Sequence, residues 1–348
     1  MKKPSPRIPV AVTLGDPRGV GPEVLMRALD QRRVISKVAP IVVGSPAVAR
    51  RAHRLVRAKT SLVALPPGDM PGRDKPGVAY LLCPAGTRPT QTGSGDARES
   101  GRMSFGSLKE AVRLCLEGRA LALVTAPISK ASLGAAGIPF KGHTEALRDL
   151  CRVKETVMMF VWGAHRISLV TTHVPLREVK RSLTRRGIET TILFTARALK
   201  LLFKVTEPRL AVLSLNPHSG ESGLLGSEEK EVIGPAMGRF SEQGVLVRGP
   251  FAADAFFSRS EWKAFDAVVA MYHDQGLIAA KILGGERAVN VTLGLPFVRT
   301  SPGHGTAEDI AWKGVADPDA MVSAILLAAR LARNASCPLE WSIPSPQR

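Results

Sequence analysis

Apolar runs of strand length alternate with amphipathic stretches almost from one end of the chain to the other. IPVAVTLG (8–15), APIVVGS (39–45), VAYLLC (78–83), ALALVTAPI (120–128), ISLVTTH (167–173), RLAVLSLN (209–216), DAVVAMYHD (266–274) and AVNVTLGLP (288–296) have the continuous apolar character of strands buried on both faces. Between them, GPEVLMRALDQR, SFGSLKEAVRLCLEG, ETTILFTARALKLLFK, SEEKEVIGPAMGRF and DPDAMVSAILLAARLARN carry helical spacing. This alternation predicts an α/β protein. TVMMFVWGAHRISLVTTH breaks the pattern, because two apolar runs flank a Gly-Ala pair; it predicts a hairpin and therefore a mixed sheet. Residues 84–101 read as one extended polar, Gly-rich loop and 335–348 as a frayed tail.

Composition narrows the class. The chain has 348 residues, enough for about two domains, and no run approaches the ~18 apolar residues of a membrane span. The basic N-terminal pair precedes only a short apolar run that meets Asp16, which reads as a first strand and not as a signal peptide. Four scattered cysteines (Cys83, Cys115, Cys151, Cys337) form no CxxC pair, so a reducing, cytoplasmic setting is expected. Lys and Arg number 48 against 30 Asp and Glu, a net charge of +18. The basic residues are dispersed, and no aromatic pair forms a base-stacking platform; the charge is read as a field for small anions, with no nucleic-acid partner.

Open α/β sheets bind ligands at the carboxyl ends of their strands, so the residues just beyond each predicted strand matter most. GDPRGVGPE stands beyond the first; its glycines match neither a dinucleotide fingerprint nor a phosphate loop, and it reads as an anion loop or as a plain strand-to-helix turn with Pro22 opening the helix. His143, Thr144 and Glu145 come after 120–128, and His173, His218 and His273 each close a separate strand pattern. Three histidines so placed fit a catalytic metal site with an open position, or separate acid–base roles; Asp274 and Glu221 are possible orienting carboxylates. Lys281, Arg287 and Arg299, with Asn290, offer anion-binding donors beside strands.

Taken together, GDPRGVGPE, TAPISK, AGIPFKGHTE, TTHVPLREV, LNPHSGESGLLGSEE, GPFAADAFF, AMYHDQG, VNVTLGLPFVRTSPGHGTAEDIAWKG and GVADP resemble, in that order, the 4-hydroxythreonine-4-phosphate dehydrogenase family of pyridoxal phosphate biosynthesis. The resemblance implies an α/β, two-lobed isocitrate/isopropylmalate dehydrogenase-like fold with a central cleft. Residues 1–134 and 297–335 would form the first lobe, 135–296 the second with a dimer interface, and 336–348 a tail. It implies a cytoplasmic homodimer whose metal ligands, His173, His218 and His273, are shared across the interface and hold one divalent ion (Zn, Mg or Co). Substrate contacts carry over to His143, Thr144, Asp254, Asp274, Lys281, Asn290 and Arg299, with Lys281 or Asp274 assisting proton transfer. The implied reaction is NAD- or NADP-dependent oxidation of a small phosphorylated amino acid, 4-hydroxythreonine 4-phosphate, followed by decarboxylation to 3-amino-2-oxopropyl phosphate. Gly285 and Trp312 depart from the family pattern and leave open a sister activity on another hydroxy acid, such as a four-carbon sugar acid phosphate or a dihydrodiol carboxylate.

Overall fold

The structure, a computed structural model, describes residues 6–66, 69, 75–85, 96–238, 240, 245–336 and 338–341. Residues 86–95 of the polar loop, together with Cys337 and 342–348 of the expected tail, lie outside them. Strands run in chain order as β1 (Ile8–Thr13), β2 (Val38–Val43), β3 (Ser61–Leu65), β4 (Val78–Leu82), β5 (Ala122–Thr125) and β6 (Val157–Trp162). They continue as β7 (His165–Leu169), β8 (Arg209–Leu213), β9 (Leu246–Phe251), β10 (Ala267–Ala270), β11 (Val289–Leu293) and β12 (Val298–Ser301).

The chain divides into two compact units, Met1–Lys154 with Leu295–Leu339, and Glu155–Gly294 with Glu340–Arg348. The first break therefore falls at 154/155, whereas the sequence reading put it at 134/135. The cause is packing: Leu147, in the helix His143–Leu150, is fully buried in the same core as Leu108, Leu114 and Leu123. His143 and Thr144 thus belong to the first unit. The frayed tail also needs correcting, since Leu339 is buried and its N–H donates to Pro296 O at 2.8 Å.

In the first unit the strand order is β3-β4-β2-β1-β5-β12, and every neighbouring pair is parallel. The inner strands are buried almost throughout, as expected when helices cover both faces. The helices Ala97–Leu116 and Asp319–Asn334 both pack on β1 and β5, the second burying ten of its residues. The second unit carries the order β11-β6-β7-β10-β8-β9. There β6 runs antiparallel to both β11 and β7, and the remaining pairs are parallel. The β6–β7 hairpin turns at the Gly-Ala pair, and the mixed sheet results from it.

The apolar pattern shows neither β3 nor β9, nor the short buried β12. β3 and β9 are edge strands in their units, half exposed, and β9 contains Gly249-Pro250. An edge strand needs no continuous apolar run and tolerates proline, so its sequence carries little strand signal. None of the described helices is long and apolar enough to cross a membrane.

Candidate functional site

The second unit gathers most of the predicted site residues. None of the three histidines lies in a strand: β7, β8 and β10 end at Leu169, Leu213 and Ala270, so the side chains project from the loops beyond. His273 opens the helix His273–Gly284, and its ring centroid lies 5.7 Å from that of His173. Its Nδ1 sits 2.6 Å from Asp274 Oδ1. A carboxylate there holds the ring with Nδ1 protonated and leaves the Nε2 lone pair for a ligand. Two imidazoles at this separation suit one shared ion, given metal–nitrogen bonds of about 2.0–2.1 Å. Together with Thr172 and Tyr272 they line a small cavity of about 160 Å³.

His218 is not part of that group. It lines a cavity of about 710 Å³ with Asp254, Asp274 and Tyr272 at a polar end and Phe257, Ile278 and Ile282 along an apolar side. The two cavities share Tyr272 and Asp274. Among the described residues, no three His, Cys, Asp or Glu side chains stand close enough to hold a metal ion. One chain therefore presents a pair of candidate ligands and a third histidine apart from them. Gln275 was overlooked in the sequence: it accepts from Met271 N at 2.7 Å and donates to Ser214 O at 2.6 Å, tying the exit of β10 to the exit of β8. Its place within YHDQG was the available signal.

Lys281 does not flank a strand; it is exposed in the last turn of the helix His273–Gly284 and is not among the cavity-lining residues. Asn290 stands in β11, half buried, with a buried Oδ1 that has no partner. Asp254 and Asp274 are exposed at the mouth of the larger cavity.

His218 rides on an unusual backbone. His218, Ser219, Gly220, Glu221 and Ser222 all have positive φ, at 50°, 53°, 78°, 42° and 59°. Left-handed helical geometry costs a non-glycine L-residue about 1–2 kcal/mol, so such a run must be held from outside. Two buried carboxylates, Glu228 and Glu229, bind the residues that lead into it. Glu229 Oε1 accepts from Leu215 N and Asn216 N, both at 2.8 Å, and its Oε2 accepts from Asn216 Nδ2 at 3.0 Å. Glu228 accepts from the same amide at 2.7 Å and pairs with Lys180 Nζ at 2.7 Å. Those bonds, from Lys180 first and Asn216 next, hold its carboxyl down at about 2. Glu221, the carboxylate singled out from sequence, is exposed on the turn itself.

The first unit supplies a second cluster. Arg299 lies within β12, 1% exposed, and its Nη2 donates to Thr125 Oγ1 at 2.6 Å. Burial draws its guanidinium down to about 9, which leaves it charged at neutral pH. His143 faces the same charge: burial chiefly, and then Arg299, lowers its imidazole to about 3. The ring is therefore neutral, and its buried Nε2 has no partner among the described residues. Thr144 is buried beside it at the start of the same helix. A fixed cation with a neutral ring nitrogen makes an anion-binding pair.

The GDPRGVGPE loop turns out to be packing and not an anion cradle. Gly15 has φ +75°, and a Cβ there would lie 2.5 Å from Pro127 O; at Gly19 it would lie 2.8 Å from Thr306 O. Pro22 opens the helix Gly21–Leu29, and buried Glu23 accepts from Trp312 N and Gly314 N at 3.0 and 2.8 Å. Trp312 adopts φ +63° and donates Nε1 to Pro17 O at 2.8 Å.

Parallel strands whose exits bear histidines and carboxylates define an α/β protein built around loops at strand ends. Comparison with known proteins makes this specific. The family model described as "Pyridoxal phosphate biosynthetic protein PdxA" matches residues 36–328, and the chain belongs to that family. It is 40% identical over 330 residues to a protein of Desulforapulum autotrophicum named 4-hydroxythreonine-4-phosphate dehydrogenase, covering 92% of this chain and 94% of the relative. A crystal structure of 4-hydroxythreonine-4-phosphate dehydrogenase from Klebsiella pneumoniae superposes with TM-score 0.83 and 36% identity over 94% of this chain and 100% of that one. A terephthalate 1,2-cis-dihydrodiol dehydrogenase from Burkholderia xenovorans reaches TM-score 0.64 and 26% identity, over 93% and 98%.

Proposed function

We propose that this chain is a nicotinamide-dependent dehydrogenase that oxidises 4-hydroxythreonine 4-phosphate. Family membership across 36–328 supports the reaction class, and the pairing of buried Arg299 with half-buried His143 is the observation that carries the substrate reading. A charged guanidinium and a neutral imidazole suit an anionic substrate end, with the Thr144 hydroxyl as a third donor. Oxidising the secondary hydroxyl of this substrate puts a ketone β to its carboxylate, and loss of carbon dioxide then gives 3-amino-2-oxopropyl phosphate.

His173, His218 and His273 are the residues that would hold a divalent ion, which when bound supplies a Lewis acid to the substrate hydroxyl. His173 and His273 fit such an ion from one chain, and the place of His218 in a different cavity fits ligands contributed by two copies, that is, a homodimer. Asp274 fixes the His273 ring, and at the cavity mouth with Asp254 it is within reach of a substrate proton. Lys281 and Asn290 complete the proposed contacts, with NAD or NADP as the oxidant.

A second reading is a sister activity on a dihydrodiol carboxylate, favoured by the Burkholderia xenovorans likeness. Purified protein given 4-hydroxythreonine 4-phosphate, NAD or NADP and zinc, magnesium or cobalt should form reduced nicotinamide and carbon dioxide in equal amounts. Turnover of a dihydrodiol carboxylate or a four-carbon sugar acid phosphate, with none of the phosphorylated amino acid, would transfer the assignment to the sister activity.

A further inference from the structure

We propose that Glu229, seconded by Glu228, is a positioning residue that holds the left-handed turn 218–222 so that His218 is presented to a metal ion; the proposal rests on the metal reading above. Neither glutamate touches a candidate ligand. Their effect passes through Asn216, two residues before His218. Glu229 binds both backbone N–H groups that lead into the turn and the Asn216 side-chain amide, so all its bonds converge on the approach to His218.

The turn is moulded to these groups. A Cβ on Gly220 would stand 2.7 Å from Glu229 Oε2, and one on Gly226 2.5 Å from Asn216 Nδ2. The bare backbone at both positions lets the carboxylate and the amide lie directly against the loop. On the far side the turn is closed by Ser219 Oγ donating to Pro250 O at 3.2 Å and Leu225 N donating to Gly220 O at 3.1 Å. Glu228 adds a tie in another direction. Through Lys180 it reaches the helix Val179–Ser182, and Val179 lines the cavity of the His173–His273 pair. One asparagine and two adjacent carboxylates thus link the His218 turn to the segment just after His173.

Ligand-orienting carboxylates typically change metal affinity by about 10–100-fold when removed. Full-length, metal-stripped wild type, Glu229→Gln and His218→Ala are titrated with Co²⁺, following its d–d absorption, with melting curves and amide hydrogen exchange measured on the metal-free proteins. Glu229→Gln should weaken cobalt binding by about 10–100-fold, alter the absorption band and speed exchange at 216–225, with a nearly unchanged melting temperature. A Glu229→Gln protein with wild-type cobalt affinity and band, merely less stable, overturns the proposal while His218→Ala still loses the ion. If His218→Ala binds cobalt like the wild type, the metal reading falls and this one with it. Should Glu229→Gln not fold, Asn216→Ser breaks the same links and must show the same loss of affinity.

Discussion

Arg299 and His143 show how burial sets the chemistry of single side chains. Desolvation lowers the pKa of both, yet one stays charged and the other stays neutral, because guanidinium starts from so high a pKa that desolvation cannot discharge it. Arg299→Lys keeps the charge and loses the fork that reaches Thr125 and a substrate anion together. Charge-assisted hydrogen bonds contribute about 1.5–3 kcal/mol, so KM for the phosphorylated substrate should rise roughly 10- to 100-fold, with cobalt affinity unchanged. Initial-rate kinetics beside a metal titration check this; an unchanged KM would make Arg299 a structural strut. His143 leaves a different mark. Its pKa falls from 6.5 in the open chain to about 3 in the fold, so the unfolded state takes up the proton first. Stability should therefore decline as pH drops from about 6.5 towards 3, and His143→Gln should remove that part of the slope in urea unfolding measured across the range.

The strand-to-helix connections divide into those that pack and those that present. Both are glycine-rich in sequence, which is why GDPRGVGPE and NPHSGESGLLG look alike on paper. In the first, glycines exist because backbone crosses backbone: Gly15 has no room for a Cβ beside Pro127 O and also needs positive φ. Gly15→Ala should cost about 1–3 kcal/mol through overpacking, lowering the melting temperature by several degrees without changing KM for an anionic substrate. A stable variant with impaired substrate binding would return that loop to the active site. In the second, four of the five left-handed residues are not glycine, so the conformation needs tertiary bonds, and those of Glu228 and Glu229 fasten its approach at Leu215 and Asn216. No local propensity announces such a turn. The glutamates lie within LNPHSGESGLLGSEE, but their role depends on which way the chain folds back, and periodicity does not carry that information.

The alternation of strands and helices, the β6–β7 hairpin and the mixed sheet could be read from the chain because buried strands demand long apolar runs and the hairpin has its Gly-Ala turn. Edge strands β3 and β9 escaped because half their side chains face water, and buried β12 because its four residues, VRTS, make no apolar run. The triad of histidines was visible as residues, since each comes after a buried strand; its division between two cavities was not, because that depends on the path of the loops. This division bears on assembly. Leu176, Leu224, Ile278 and Ile282 in the second unit are 76%, 83%, 61% and 77% exposed, an apolar complement that is costly to leave in water. Leu176 lines the cavity of the histidine pair, and Ile278 and Ile282 line the cavity of His218. A second copy covering these side chains would bury them and bring its own histidines to the incomplete set. Sedimentation equilibrium at assay concentration should accordingly give twice the chain mass. Ile282→Glu, which sets a charge in that contact, should shift the protein towards monomer and reduce cobalt affinity and turnover together. A wild-type monomer with full activity, or an Ile282→Glu monomer that still binds cobalt tightly, would mean that each chain completes its own site and that these apolar residues serve some other contact.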